Sequence, residues 1–316
     1  MQDVWRFISQ KLGQDQDLVV LLVAQHQGSA PGKRGFLMAI ARDGQRAGTI
    51  GGGIMEHNLV NEAATWLQTN TEPELLTRIH RDKGPEEDRS GMICAGSQHI
   101  LRFRLTPDNR SWITQLIQTS QQGQSGQLTI SPRGIQYQTT TDPASSLKTG
   151  SEWHCTHTIP PTDTLWVIGS GHVGLAICNT FAMLDFNIAA FDHRPEVDTF
   201  VGNTTAHQKH TGPYEDLAHL VPEGQHIYAA VVTTAFHTDI AALRQLAPKN
   251  LRYLGLMGST AKIKRIMDQL ASEGIPKDRL KAIHAPLGIP LPNQTPAEIA
   301  ISLAAQIIQI RNNDQN

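Results

Sequence analysis

Cysteine is scarce in this chain. Three residues in 316, Cys94, Cys155 and Cys178, stand far apart with no Cys-x-x-Cys pair. An odd and scattered set excludes a disulfide framework and a zinc knuckle. The 14 histidines include no His-Glu-x-x-His arrangement either. Charge of one sign is also lacking: 27 Lys and Arg face 29 Asp and Glu, for a net −2. No basic field therefore invites nucleic acid or an anionic lipid surface. The longest apolar run, residues 18–24, is too short to span a bilayer, and the opening "MQDVWRFISQ" has no charged-then-apolar leader pattern. A cytoplasmic protein is expected, without a membrane span and without a nucleic-acid partner.

What is present divides the chain. "DLVVLLVAQH" reads as a buried strand, followed by the loop "QGSAPGKRG", the strand "FLMAIA", a turn at Asp43-Gly44 and the strand "RAGTI". A helix is expected over 54–68. "ELLTRIHR" and "SQHILRFRL" read as further strands, the second with Leu101, Phe103 and Leu105 alternating with Arg102 and Arg104. A helix at "SWITQLIQ" and two short polar strands complete a smaller α+β domain over 1–140. Residues 141–163, rich in Ser, Thr and Pro and without periodicity, read as a linker. From 164 to 316 strands alternate with helices, as in a Rossmann-like domain built on a parallel sheet. Its last helix carries Thr295, Pro296 and Glu298 as a capping box. The expected class is α/β with this second domain beside the smaller first one.

Two glycine runs carry the candidate chemistry. "GSGHVG", residues 169–174, lies between a strand and a helix in the Gly-x-Gly-x-x-Gly spacing. Gly169 suits the tight turn, Gly171 a phosphate approaching the backbone, and Gly174 close helix packing, while His172 lies within the loop. Asp192 ends the next strand where an acid would meet a ribose hydroxyl. His193 and Arg194 follow it, either as phosphate ligands beside the loop or as solvated turn residues. The second run, Gly51, Gly52 and Gly53, opens the helix at 54–68. Glycine is costly there, so bare amides at the helix start point to an anion, or else to the close passage of another segment. Ser29, Lys33 and Arg34 lie on a loop that could fold over the same ligand, and Glu56 falls in the first helical turn.

Cys94 in "GMICAG" sits among small residues that leave a thiol accessible to a sulfur donor or soft metal. Cys178 reads as core packing and Cys155 as incidental. Thr233, Thr234, His237 and Asp239 follow a later strand, where they could bond a ligand or cap the next helix; Gly258, Ser259, Lys262 and Arg265 form a second possible anion site. No His/Asp or Tyr/Lys pair in the first domain suggests an acid and base, so no catalytic residue is assigned. This lowers the alternative reading, an NAD(P)-dependent oxidoreductase.

Taken together, "GSAPGKRGFLMAIARDGQRAGTIGGGIMEHNLVNEA", "GMICAG", "VIGSGHVGLAICNTFAMLDFNIAAFDHRPE" and "YLGLMGSTAKIKRI" with the later "TPAEIAISLAAQII" resemble the XdhC/CoxI family. These are accessory proteins of xanthine dehydrogenase and related molybdenum hydroxylases. The resemblance implies a chaperone rather than an enzyme. It would bind molybdenum cofactor (molybdopterin), protect it while a cysteine desulfurase supplies sulfur, and deliver it to a xanthine dehydrogenase-type hydroxylase, typically as a homodimer or larger homo-oligomer. Gly51, Gly52, Gly53 and Glu56 would line the cofactor in the first domain, with Cys94 near the metal; Gly169, Gly171, His172 and Gly174 would line it in the second. The family's Cys-Gly-Gly stands here as Cys94-Ala95-Gly96.

Overall fold

The apolar run at 18–24 becomes the buried part of β1 (Leu18–Gly28), whose first seven residues are all hidden from solvent. A strand hidden on both faces reads as a continuous apolar run rather than an alternation. In the computed structural model, which describes residues 2–69, 72–79, 96–292 and 295–313, the chain divides into two units, Met1–Pro161 and Thr162–Asn316.

In the first unit β1 pairs antiparallel with β2 (Leu37–Ala41) on one side and β5 (Gly96–Leu105) on the other. With β3 (Arg46–Gly48) and β4 (Glu74–Ile79) they form a sheet of order β3-β2-β1-β5-β4. The β1–β5 register shifts between Val23 and Gln25, a bulge beyond which β1 becomes progressively exposed. One face of this sheet is covered by α2 (Gly53–Thr69), which buries Met55, Leu59, Ala63, Trp66 and Leu67. Their spacing of three to four residues makes one apolar stripe, and each large side chain of this kind contributes on the order of 1.5–3 kcal/mol when fully buried. Against the other face pack α1 (Gln2–Gly13), α3 (Arg110–Gln121) and a second antiparallel sheet. Helix α1 is not among the expected elements, although Val4, Trp5, Ile8 and Leu12 recur at helical spacing and all are buried.

That second sheet is β7-β6-β9-β8, from β6 (Ser125–Ser131), β7 (Gly134–Thr140), β8 (Ser146–Lys148) and β9 (His154–Ile159). The segment 141–163, expected to be an aperiodic linker, therefore holds two strands. Cys155, His157 and Ile159 point inward and alternate with Thr156 and Thr158. Cys155 is accordingly a core residue, and burial pushes its thiol up to about 11. His157 is buried with neither ring nitrogen hydrogen-bonded among the described residues, and burial, with Arg34 adding to it, pushes the imidazole down to about 4.

The second unit has the expected parallel sheet, of order β12-β11-β10-β13-β14. Its strands are β10 (Thr164–Ile168), β11 (Asn187–Asp192), β12 (Gln208–Thr211), β13 (Gly224–Val231) and β14 (Leu251–Leu256). The helices are α4 (His172–Ala182), the short α5 (Asp198–Val201) and α6 (Leu217–Leu220), α7 (Phe236–Leu246), α8 (Thr260–Ser272), the short α9 (Lys277–Lys281) and α10 (Pro296–Asn313). Two apolar clusters lie on opposite faces of this sheet, one under α7 and α8 and one under α4 and α10. Cys178 lies in the latter, as expected. The Thr295–Glu298 capping box forms in both directions, at 2.9 and 3.3 Å. The strand order reverses direction at β10, so the connections leaving the carboxyl ends of β10 and β13 diverge and leave a crevice there. Among the described residues no helix is long and apolar enough to cross a membrane.

Candidate functional site

In the first unit the glycine run is a left-handed turn. Gly51, Gly52 and Gly53 have φ of 124°, 73° and 73°, a region that side chains with a Cβ avoid. Gly51 is also confined in space, since a Cβ there would meet Gly32 N at 2.5 Å. Gly32 in turn has the Ile50 carbonyl against it, and the buried Gln98 amide donates to Gly32 O and Ile50 O at 2.9 and 3.1 Å. Gly52 differs: nothing lies within 4 Å of where its Cβ would be.

The helix start is not bare, because Glu56 reaches back over it. Its Oε2 accepts from Thr49 Oγ1 at 2.6 Å and from the Ile50 and Gly52 amides at 2.9 Å each. Burial pushes the Glu56 carboxyl up, but the bonds from Thr49, Ile50 and Gly52, with Arg46 nearby, outweigh it and hold the carboxyl below its usual range. Of the three glycine amides expected to greet an anion, that of Gly52 therefore already has one from the protein itself, and that of Gly51 donates to Thr49 Oγ1 at 3.0 Å. Glu56 Oε1 has no partner among the described residues, so the turn presents a fixed acceptor beside the open face of Gly52. Phe36 and Ile54, both exposed, flank the turn on the β2 and α2 sides.

In the second unit the three fingerprint glycines sort by space. A Cβ on Gly169 would meet Val232 C and O at 2.8 Å, and one on Gly174 would meet Gly169 O at 2.1 Å. Gly171, the N-cap of α4, has ordinary extended backbone and nothing within 4 Å. The open position is the one at which a ligand approaches the main chain. His172 is exposed on the first turn of α4.

Asp192 sits at the end of β11 as expected, but its carboxylate is not available to a ribose. The residue is 1% exposed. Oδ2 accepts from Ser170 N at 2.8 Å and Arg194 Nη2 at 3.1 Å; Oδ1 accepts from Arg194 N and Nε, both at 3.0 Å. Four donors fill the four acceptor positions of a carboxylate. Burial pushes its pKa up, yet Arg194 and the two backbone amides prevail and hold it below the carboxylate range.

Other candidates are used internally. Thr233 donates to Asp239 Oδ1 at 2.5 Å and lies 2.6 Å from the Thr238 hydroxyl. Lys262 pairs with the other Asp239 oxygen at 2.5 Å, and Ser259 caps α8 through Lys262 N. This joins the two loops after β13 and β14 from within, so neither is the free anion site that the sequence allowed. Cys94 lies outside the described residues. Gly96, two positions on, opens β5, where a Cβ would meet Gln27 O at 2.5 Å and Ala30 N at 2.8 Å. Among the described residues no cluster of three His, Cys, Asp or Glu could hold a metal ion. Thr49, Gln98 and Tyr214 are site residues without an expected role, and only Gln98, a polar residue facing inward on a strand, carries a local signal.

Known proteins resemble this chain. The family model for the XdhC Rossmann domain matches residues 165–307, and that for the XdhC and CoxI family matches residues 12–79. The uncharacterized protein YqeB of Escherichia coli K12 is 25% identical over 295 residues. That match covers 92% of this chain but 43% of YqeB, so the chain spans less than half of that relative. A protein of Bacillus subtilis 168 described as a probable xanthine dehydrogenase component is 26% identical over 324 residues, covering 95% of each chain. Among solved structures, a xanthine dehydrogenase from Bacillus halodurans superposes with a TM-score of 0.80 at 22% identity, over 98% of this chain and 96% of that one. At that identity the likeness speaks to the fold.

Proposed function

The chain belongs to the XdhC/CoxI family, and from that membership we propose that it is an accessory protein that binds molybdenum cofactor for a xanthine dehydrogenase-type hydroxylase. It shelters the cofactor while a cysteine desulfurase exchanges an oxo ligand for sulfur, passes it to the hydroxylase, and turns over no substrate of its own. The cofactor, when bound, supplies the dithiolene-held metal; the chain's residues supply grip and orientation.

The observation that carries the reading is the Glu56 turn. A pterin presents neighbouring N–H donors on one edge of a flat ring. Glu56 Oε1 is an acceptor fixed in place by three bonds to its sister oxygen, and Gly52 leaves the main chain beside it uncovered. Such an arrangement suits a donor-rich ring better than a phosphate, which would meet the carboxylate's own charge. The grip is also modest, a few hydrogen bonds without a strong field, as release to a tighter-binding acceptor requires. The alternative, an NAD(P)-dependent oxidoreductase, loses support in its NAD form, because Asp192 has no capacity left for a ribose diol.

Purification from a host that makes the cofactor tests this. The chain should carry pterin fluorescence and molybdenum in near-equal amounts, and Glu56→Gln should lower both together at least about tenfold, the effect of losing a charged hydrogen bond. Stoichiometric nicotinamide without pterin would replace this reading with the oxidoreductase.

A further inference from the structure

Asp192 is expected to meet a ribose, with His193 and Arg194 as phosphate ligands or turn residues, and the structure leaves only the two bases on the outward face of that tripeptide. With both Asp192 oxygens filled, the groups left facing solvent at the end of β11 are the imidazole and the guanidinium, whose side chains are 40% and 37% exposed. Neither is a loose surface side chain. Arg194 is held along one edge by Nε and Nη2 on Asp192, which leaves three of its five N–H groups, both on Nη1 and the second on Nη2, without a partner among the described residues. His193 Nδ1 is 3.0 Å from the Tyr214 hydroxyl and 3.4 Å from Asp192 Oδ1, and the ring leans on Tyr214 at 5.3 Å between centroids. The engaged nitrogen fixes the ring and leaves Nε2 outward. Tyr214 is buried, so the support beneath the imidazole is rigid. Ser170 N binds the same Asp192 carboxylate, which ties the pair to the glycine loop whose open member is Gly171. The other carboxylate near the guanidinium is that of Glu196, which is exposed.

We propose that His193 and Arg194 form a recognition site for the dianion of a phosphate monoester. A planar fork offering parallel N–H groups matches two phosphate oxygens, and an adjacent imidazole reaches a third. A ribose diol would find both Asp192 oxygens already filled, and a phosphodiester lacks the terminal oxygens that the fork needs. Two sources carry such a group: a ribonucleotide phosphorylated on its ribose, such as NADP, and the terminal phosphate of molybdopterin in its mononucleotide-free form. The second rests on the proposed cofactor role; the first does not.

Both are tested on the full chain. Arg194→Ala would strand the buried Asp192 carboxylate and risk the fold, so Arg194→Lys, which keeps a cation, and His193→Ala, at an exposed position, are the informative variants. Titration calorimetry compares NADP with NAD. If the ribose phosphate is the ligand, NADP binds about tenfold tighter than NAD and each variant brings the ratio to near one with NAD binding unchanged. If the pterin phosphate is the ligand, both variants purify with several-fold less pterin, and phosphatase treatment of the wild type releases what it holds. Absence of pterin from the wild type would defeat the cofactor role and leave the nucleotide comparison to decide. Should NADP and NAD bind equally, or not at all, and pterin content not differ between wild type and variants, the proposal is overturned.

Discussion

The glycines at 51–53 and those at 169–174 stand before helices of similar appearance in the sequence, yet they are required for different reasons. In the first run the requirement lies in the sign of φ: all three are left-handed, and Gly51 is also short of room. In the second, Gly169 shares a positive φ, 109°, but at the helix itself contacts set the requirement. Gly174 lies within α4 and has no tolerance for a Cβ, while Gly171 has neither constraint. The charges differ as well, a glutamate folded over its own helix start against an aspartate neutralised by an arginine. A glycine motif thus says that the main chain is exposed or crowded; the neighbouring side chains decide what it can hold.

The comparison can be broken most forcefully at Gly174. A side chain there strikes the Gly169 carbonyl, so Gly174→Val should cost roughly 3 kcal/mol or more, read from denaturant midpoints. A midpoint like the wild type's would mean that α4 can shift away freely.

Next in size is a difference between the units in acid. His157, in the first unit, is held neutral by burial, with its pKa at about 4 against 6.5 when exposed. Between those values the unfolded chain binds the extra proton, so stability falls as pH drops from about 6.5 toward 4 and is level below that. The loss should approach about 3 kcal/mol, and His157→Leu should remove most of it, as followed by urea unfolding at about pH 7 and about pH 4.5. Asp192, in the second unit, has its pKa lowered, so its contribution is retained above the ordinary carboxylate range and lost only as pH falls through the depressed value. The contributions of these two groups should therefore be lost in sequence as pH falls, that of His157 first and that of Asp192 later.

Smaller still is Gly52→Ala. The space is open but φ is 73°, so the cost should be the left-handed penalty alone, about 1–2 kcal/mol. Gly171→Ala should cost least, about 0.5–1 kcal/mol, because backbone and space both accept a methyl and only the N-cap preference for glycine over alanine is lost. If Gly171→Ala weakens retention of any phosphate ligand while the melting temperature holds, the open face is where that ligand approaches. Equal costs for Gly52→Ala and Gly171→Ala would erase the distinction between the two turns.

Local pattern makes much of this legible. The double-sided burial of β1, the stripe on α2, the alternation in β5 and the strand-glycine-helix unit at β10 and α4 are each written in a few adjacent residues. The strand at 154–159 is hidden because Thr and His fill its alternating positions, and that at 146–148, Ser-Leu-Lys, is too short to show a period. The Glu56 knot and the filling of Asp192 are illegible for another reason. Each depends on where one side chain turns after the backbone is placed, and nothing in Gly-Ile-Met-Glu or Asp-His-Arg states that choice.

The bulge between Val23 and Gln25 divides the pairing of β1 with β5 into two lengths. On the inner side, from Leu18 with Leu105 to Val23 with Ile100, every β1 residue is clamped between packed layers; from Gln25 with His99 outward, β1 runs into solvent. The outer length can therefore unzip and reclose while the inner one stays shut. Amide protons of Gln27 and Ser97 should trade with deuterium by that private route long before those of Val20 and Phe103, which must wait for the whole unit to open.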